Sequence, residues 1–551
     1  MSVLDKCRSS KSIGVIVPSE AAPGDSGAEG PARKAHNRFS LLFGRFIKSR
    51  LIVLLWRDWR FGAGAAAGIA ALAALLVGLW TPRGPMTTTQ VLNAMVIGAL
   101  VGVTAGLVMR SRWAMLLAPV VFAGVFEVVR IGSDGPTVDG IHPGSTYGIL
   151  AFAVGRGFHG VVTLVPILLG AAFGSALGRR TTDGRRNRQG RARIGLYLRR
   201  TFAGSATIGL IVLAVGIARP ASTAAIRDAN GSKVKGSIAE LIRVDIGGHD
   251  LAMMIRGVST DNPILLYLAG GPGGSELGAM RNHLSALEND FVVVTWDQRG
   301  TGKSYTEIEP TATLTFDNAV ADTIEVTNYL RDRFGQDKIY LLGQSYGTIL
   351  GIRAVQQHPE LYAAFIGTGQ MVSARETDRI FYADTLSWAR DTGNNDVVDT
   401  LTRLGPPPYT TLLDLEATLT NEHEVYPYDH SRNAEGAGGF SENFFVPEYT
   451  LVEQLHMLGG FLDTFTFIYP QLQKIDFRVD ATSLDVPVFF VEGAHEARGR
   501  AEPFAEWYSM LNAPTKDLTV FDTSGHRPLF EQPDEFVAYM VGTVLAETNP
   551  S

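Results

Sequence analysis

The sequence predicts two structures in one chain: an all-α bundle of about five membrane-crossing helices, then a domain built on a mainly parallel β-sheet with a helical cap inserted into it. Three observations predict this. Residues 61–218 are mostly Ala, Val, Leu, Ile and Gly and break into runs near the ~20 residues that cross a bilayer. Residues 235–551 have the mixed composition of a water-facing domain, with short apolar runs alternating with longer amphipathic segments. That alternation lapses between about 371 and 480, where helical pieces, LGPPPYTTL and a Gly-rich stretch intervene and mark the cap.

The first 40 or so residues, SEAAPGDSGAEGPARKAHN among them, are rich in Gly, Ala, Pro, Ser and charge and read as disordered. They lack the early apolar run of a signal peptide, so residues 1–50 are expected to form a cytoplasmic tail ahead of a membrane domain at 51–220. Four spans stand out at about 61–80, 91–109, 113–131 and 201–218. Between Tyr147 and Leu177 the chain stays apolar for longer than one crossing, interrupted by Arg156 and His159. The expected crossing there is 158–178, with 147–156 at the interface; a tight two-crossing hairpin is the alternative.

Basic residues orient the bundle. Arg33, Lys34, Arg38, Arg45, Lys48, Arg50, Arg57 and Arg60 precede the first span, Arg110 and Arg112 lie between the spans at 91–109 and 113–131, and RRTTDGRRNRQGRAR, then Arg199 and Arg200, follow the crossing at 158–178. The loops at 81–90 and 132–146 hold only Arg83. By the positive-inside rule, five crossings in a plasma membrane put the domain after Pro220 outside the cytoplasm. Gly64 and Gly68, and Gly98, Gly102 and Gly106, have the spacing that lets helix backbones approach closely. Glu127, Arg130, Arg156 and His159 lie toward the outer ends of their spans, where mutual pairing or snorkelling is the expectation.

A net charge of −6 over 551 residues, with the basic residues clustered beside the apolar spans, gives no sign of a nucleic-acid partner. Cys7 is the single cysteine, which excludes intrachain disulfides and Cys-ligated zinc fingers. In the second domain AELIRVDI turns at Gly247 and Gly248 and returns through LAMMIRGV as a hairpin. ILLYLA (264–269), VVVTWD (292–297), IYLLGQ (339–344), AAFIGT (363–368), VPVFFVEG (486–493) and LTVFD (518–522) read as buried strands.

The chemistry begins after IYLL, with GQSYG at 343–347 and then the helical TILGIRAVQQ. A Gly-x-Ser-x-Gly between strand and helix puts its serine on a strained turn above the sheet, which makes Ser345 the candidate nucleophile. Serine needs a base held by an acid, and the order Ser, acid, His is met by Glu496, past the end of VPVFFVEG, and His526 in DTSGHRPLF. Glu492, Asp485 and Asp522 remain possible acids, and His495 reads as a surface residue. Two oxyanion donors are expected: the N–H of Tyr346 and one from AGGPGG (269–274).

WDQRGTGKS (296–304) ends like a phosphate-binding loop, but Gly302 has Asp297 five positions before it where that loop requires glycine. Tyr305 likewise stands where a dinucleotide loop needs a third glycine. AGGPG, DQRGTGKS and GQSYG together resemble the proline iminopeptidase family of α/β-hydrolases, whose pattern is HGGPG, DQRG-x-G-x-S and G-x-S-x-G. The resemblance covers about 240–370 and 485–545, the cap poorly and the membrane part not at all. Ala269 replaces the family histidine.

The resemblance implies an α/β-hydrolase fold at 235–551, Gly271 as the second oxyanion donor, and Asp297 and Arg299 in a structural network with Lys303 off any phosphate. It also implies removal of an N-terminal residue, often proline, from short peptides, with cap carboxylates on the free amine. SENFF (441–445) makes Glu442 a weak candidate for that, against the plainer reading of a solvated cap residue. Small peptides, or acyl compounds for an esterase or amidase, are the expected substrates, and the lipid bilayer is the other partner. A third reading makes the bundle a transporter or sensor and the second domain an unreactive binding module. No metal or organic cofactor is expected, since the mechanism requires none and no ligand cluster is apparent.

Overall fold

The computed structural model describes residues 58–81, 86–183, 191–427 and 441–548, and Gly62–Ser551 form one compact unit. The expected tail at 1–50 lies outside the described residues. Among the described residues five apolar helices come first: α1 (Trp59–Trp80), α2 (Thr88–Met109), α3 (Ala114–Val129), α4 (Thr146–Arg179) and α5 (Arg191–Ile217). Four are long and apolar enough to cross a membrane, while α3, at 16 residues, is shorter than the 113–131 span expected. The reason is local: a left-handed Arg110 ends α2 just before it, and the chain turns at Gly132 with φ 97° just after it.

The stretch around Arg156 and His159 forms no hairpin. α4 runs unbroken for 34 residues, loosened by π-helical segments at Ala153–Gly157 and Gly160–Leu164. At 1.5 Å per residue that is about 51 Å, well beyond the ~30 Å hydrocarbon layer. That is longer than one crossing would need, and at its start Tyr147, Leu150 and Val154 pack against the core of the following domain.

Of the two glycine series, one mediates close packing. Gly98, Gly102 and Gly106 on α2 face α4, where a Cβ on Gly102 would lie 2.1 Å from the Ile167 carbonyl oxygen. Gly64 and Gly68 on α1 have nothing within 4 Å among the described residues. Glu127 meets Arg156 at 3.2 Å and Arg130 at 3.5 Å, so these three pair with one another as expected, while the His159 ring lies tilted against Phe126 at 4.9 Å.

The second domain is an eight-stranded sheet: β1 (Ile238–Ile246), β2 (His249–Gly257), β3 (Ile264–Leu268), β4 (Val292–Trp296), β5 (Ile339–Gln344), β6 (Tyr362–Thr368), β7 (Val488–Gly493) and β8 (Lys516–Phe521). The spatial order is β1-β2-β4-β3-β5-β6-β7-β8, parallel from β4 to β8, with β1 and β2 antiparallel. β3, β4 and β5 are buried along their whole length, which explains why they read as unbroken apolar runs. Helices α6 (Leu277–His283), α7 (Phe316–Phe334) and α8 (Tyr346–Gln357) follow β3, β4 and β5. Between β6 and β7 lie the cap helices α9 (Ala374–Thr392), α10 (Asn395–Leu404), α11 (Leu412–Leu419) and α12 (Leu451–Leu472); α13 (Arg498–Met510) follows β7.

The bundle ends that are poor in basic residues meet the cap. Met86, Ile217 and the α12 residue Val452 share one apolar cluster, and Ser222 N–H donates to the Pro447 carbonyl at 2.8 Å. The α2–α4 approach carries a prediction: Gly102→Val drives side-chain atoms into the α4 backbone, and overpacking of about 1–3 kcal/mol or more should lower the melting temperature in detergent by several degrees. Gly64→Ala, in open space, should leave it unchanged.

Candidate active site

The site grows out of β5. The strand ends at Gln344, Ser345 turns the chain at φ 53°, ψ −118°, and α8 starts at Tyr346. An L-residue holds positive φ only when its surroundings impose it. Here the turn is clamped: Ser345 N–H donates to the Thr368 carbonyl of β6 at 3.0 Å, and a Cβ on Gly347 would sit 2.0 Å from the Leu268 carbonyl oxygen of β3. Only glycine passes that strand, which is the physical content of the second Gly in GQSYG.

His526 and Glu496 arrive on loops after β8 and β7, at the same sheet edge. His526 Nε2 lies 2.9 Å from Ser345 Oγ, and His526 Nδ1 lies 2.6 Å from Glu496 Oε2. The Gln344 side-chain amide donates to the His526 carbonyl at 3.3 Å and ties the histidine loop to the elbow. The Glu496 side chain is only 3% exposed, and its other oxygen accepts from Arg500 Nε at 2.8 Å. Burial opposes ionisation of Glu496, but Arg500 and His526 outweigh it and hold its carboxyl down at about 2.

The alternative acids lie elsewhere. Glu492 accepts from the Gln370 N–H at 2.8 Å, and burial, with the neighbouring Glu496 charge, pushes its carboxyl well above the usual range. Asp522 meets the Gln532 side chain, and Asp485 and His495 are exposed. Sequence reading missed Arg500, although its position four residues after Glu496, at the start of α13, was a usable signal.

The Gly270–Gly274 loop lies against the serine: a Cβ on Gly270 would be 3.2 Å from Ser345 Cβ. Gly271 follows in that loop with φ 118°, and Tyr346 N–H belongs to the first turn of α8, whose amides have no partner within the helix. Ala269, in place of the family histidine, is fully buried, and its carbonyl accepts from the Gln298 side chain at 3.4 Å.

The WDQRGTGKS loop is a buried brace. Asp297 accepts from Lys303 N–H at 2.8 Å and from Tyr449 O–H at 3.0 Å, and burial pushes its carboxyl up to about 7. Arg299 pairs with Asp322 at 2.9 Å. Lys303 Nζ reaches Glu453 Oε2 at 2.7 Å and the Glu448 carbonyl at 3.0 Å, so the cap holds the lysine that resembled a phosphate ligand. Glu442 is no solvated residue: its side chain is 10% exposed and meets Arg527, the neighbour of His526, at 3.1 Å. Arg527 also meets Glu276 at 2.5 Å.

A parallel sheet of this order with a serine elbow at its carboxyl edge defines the class, an α/β-hydrolase. The alpha/beta hydrolase fold family matches residues 263–533. A probable aminopeptidase of Bacillus subtilis (strain 168) is 31% identical over 304 residues, 55% of this chain and 95% of that protein. A proline iminopeptidase of Heyndrickxia coagulans is 25% identical over 295 residues, 51% of this chain and 90% of that protein. The chain therefore belongs to the α/β-hydrolase family, and its relatives over the C-terminal half are proline iminopeptidase-like. Among solved structures, a proline iminopeptidase-related protein of Thermus thermophilus aligns over 57% of this chain and 99% of its own, at 20% identity and a TM-score of 0.41.

The depressed Glu496 carboxyl sets a pH dependence. A carboxyl ionising lower in the folded than in the unfolded state adds stability above its ordinary pKa of 4.5 that is lost as pH falls toward about 2. In thermal melts, Glu496→Gln should lie furthest below wild type above pH 5, and the gap should narrow progressively toward pH 2.

Proposed function

We propose that the chain is a membrane-anchored serine hydrolase whose nucleophile is Ser345. The observation that carries this reading is the continuous hydrogen-bonded line from Ser345 Oγ through the His526 ring to the buried Glu496 carboxylate. Ser345 Oγ attacks the substrate carbonyl carbon while its proton passes to His526 Nε2; Glu496 fixes the ring and stabilises the imidazolium. The carbonyl oxygen, now negative, is met by the N–H groups of Gly271 and Tyr346. Collapse breaks the bond to the leaving group, which takes the proton from Nε2. Water, deprotonated by the same nitrogen, then releases the acid and restores the serine.

The preferred substrates are short peptides cleaved at the amino terminus. Two of the relatives are described as aminopeptidase and iminopeptidase, and Glu442 supplies a cap carboxylate near the His526 loop for a free amine. The ion pair between Glu442 and Arg527 favours a second reading, in which the carboxylate is already engaged and the substrate is an acyl ester or amide without a free amine. The bundle, α1 to α5, anchors the enzyme in the plasma membrane with the hydrolase domain outside the cytoplasm. The positive-inside pattern supports this orientation, as does the contact of Met86, Thr137 and Ile217 with the cap on one side of the bundle.

Intact cells treated with a membrane-impermeant fluorophosphonate should show labelled protein before lysis, absent in Ser345→Ala; labelling only after lysis contradicts the orientation. Glu496→Gln should lower the hydrolysis rate about 10²- to 10⁴-fold with the chain still folded. Faster turnover of prolyl and alanyl anilides than of their N-acetyl forms supports the peptidase, and the reverse order supports the acyl substrate.

A further inference from the structure

The loop between α3 and α4 reaches into the hydrolase domain. Thr137, 3% exposed, donates through its N–H to Asp463 Oδ1 at 3.1 Å and through its hydroxyl to Asp463 Oδ2 at 2.7 Å. Tyr305, on the turn that closes the WDQRGTGKS loop, donates to the same Oδ2 at 2.7 Å and lies 3.4 Å from the Thr137 hydroxyl. Asp463 sits on the cap helix α12 and is fully buried. Hydrogen bonds to a buried carboxylate are among the stronger ones.

The bundle fixes its own end of this contact. Arg156 on α4 donates to the Val138 carbonyl at 2.8 Å while paired with Glu127 of α3, and a Cβ on Gly155 would lie 2.3 Å from the Thr137 carbonyl oxygen. At the far end, the α12 turn that carries Asp463 lies on the active-site loops. Thr464 Oγ1 donates to the Gly300 carbonyl at 2.7 Å, and a Cβ on Gly273 would lie 2.8 Å from Phe461 Cα and 3.1 Å from the Phe461 carbonyl oxygen. Gly273 is two residues from Gly271. Backbone packed against backbone this closely transmits position, since neither side has a flexible side chain that could absorb a shift.

We propose that Thr137 is a positioning residue of the hydrolase site. Through Asp463 and the Gly460–Thr464 turn of α12, it holds the Gly270–Gly274 loop at the separation from Tyr346 that a developing oxyanion requires. The bundle then forms part of the catalytic framework as well as an anchor. This role rests on the Ser345 reading, and it accounts for a polar contact of Thr137 with a fully buried carboxylate that anchorage alone does not require.

The test uses the full-length chain in detergent micelles, with two readouts: the second-order rate of labelling by a fluorophosphonate, whose phosphoryl oxygen enters the oxyanion site, and kcat and KM on p-nitrophenyl acetate. Removing an oxyanion donor costs about 10²- to 10³-fold, so a displaced donor should cost about tenfold. Thr137→Val should lower the labelling rate and kcat about tenfold, with KM unchanged and the melting temperature within about 3 °C of wild type. Thr137→Ser should restore both rates to within about twofold. Asp463→Asn, which keeps the shape and loses the charge, should fall in the same direction and serves if Thr137→Val does not fold. Unaltered rates in a folded variant overturn the proposal, as does a loss that merely tracks the folded fraction. A wild-type chain that does not label contradicts the hydrolase reading itself.

Discussion

The backbone of Ser345 is the constraint on which the rest depends. Its φ of 53° and ψ of −118° are strained for an L-residue, by about 1–3 kcal/mol, and persist because neighbouring strands leave no alternative. β6 takes the serine amide, β3 crosses under Gly347 within reach of its missing side chain, and the sheet behind them is buried on both faces. The strain points the hydroxyl away from the sheet, where loops from β7 and β8 can meet it. A softer elbow would leave the 2.9 Å approach of His526 to chance.

Around this point buried charges are placed in partnership. Glu496 stays ionised because Arg500 and His526 compensate for its burial, while Glu492, four residues earlier and without a cation at hydrogen-bond distance among its described contacts, is driven toward the neutral acid. Asp297 binds its own loop and Tyr449, and Lys303 binds the cap. The cap is thus joined to the sheet by polar contacts as well as apolar packing, and the bundle loop at Thr137 continues that frame toward the apolar helices.

Much of this was legible in the sequence, for reasons of periodicity and order. Parallel strands buried on both faces are continuous apolar runs, which placed β3 to β7; β1 and β2 were placed by the turn at Gly247 and Gly248, and β8, read as buried, is a half-exposed edge strand. The elbow glycines are demanded by backbone contact, and the Ser, acid, His order follows from the order of strands. Glu496 was preferred to Glu492 because it lies on the loop past β7, but Glu492 stayed open, since only the path of that loop decides which one faces His526. The length of α3 and the continuity of α4 were also hidden, since composition does not reveal a left-handed Arg110 or π-helical turns. Gly64 and Gly98 looked alike because small-residue spacing states that approach is possible, while the neighbour decides whether it happens. The pairing of Thr137 with Asp463, 326 residues apart, left no local signal at all.

The central claim is that strain, His526 and Glu496 together make Ser345 the reactive group. It is tested most directly by trapping the acyl intermediate: purified full-length protein is mixed with p-nitrophenyl acetate, quenched in acid during the initial burst, digested with trypsin and read by mass spectrometry. The account predicts an added acetyl mass on the peptide Ile339–Arg353, located at Ser345 and absent from His526→Ala. A burst with the acetyl group on another residue, or no adduct from a chain shown to be folded, contradicts it.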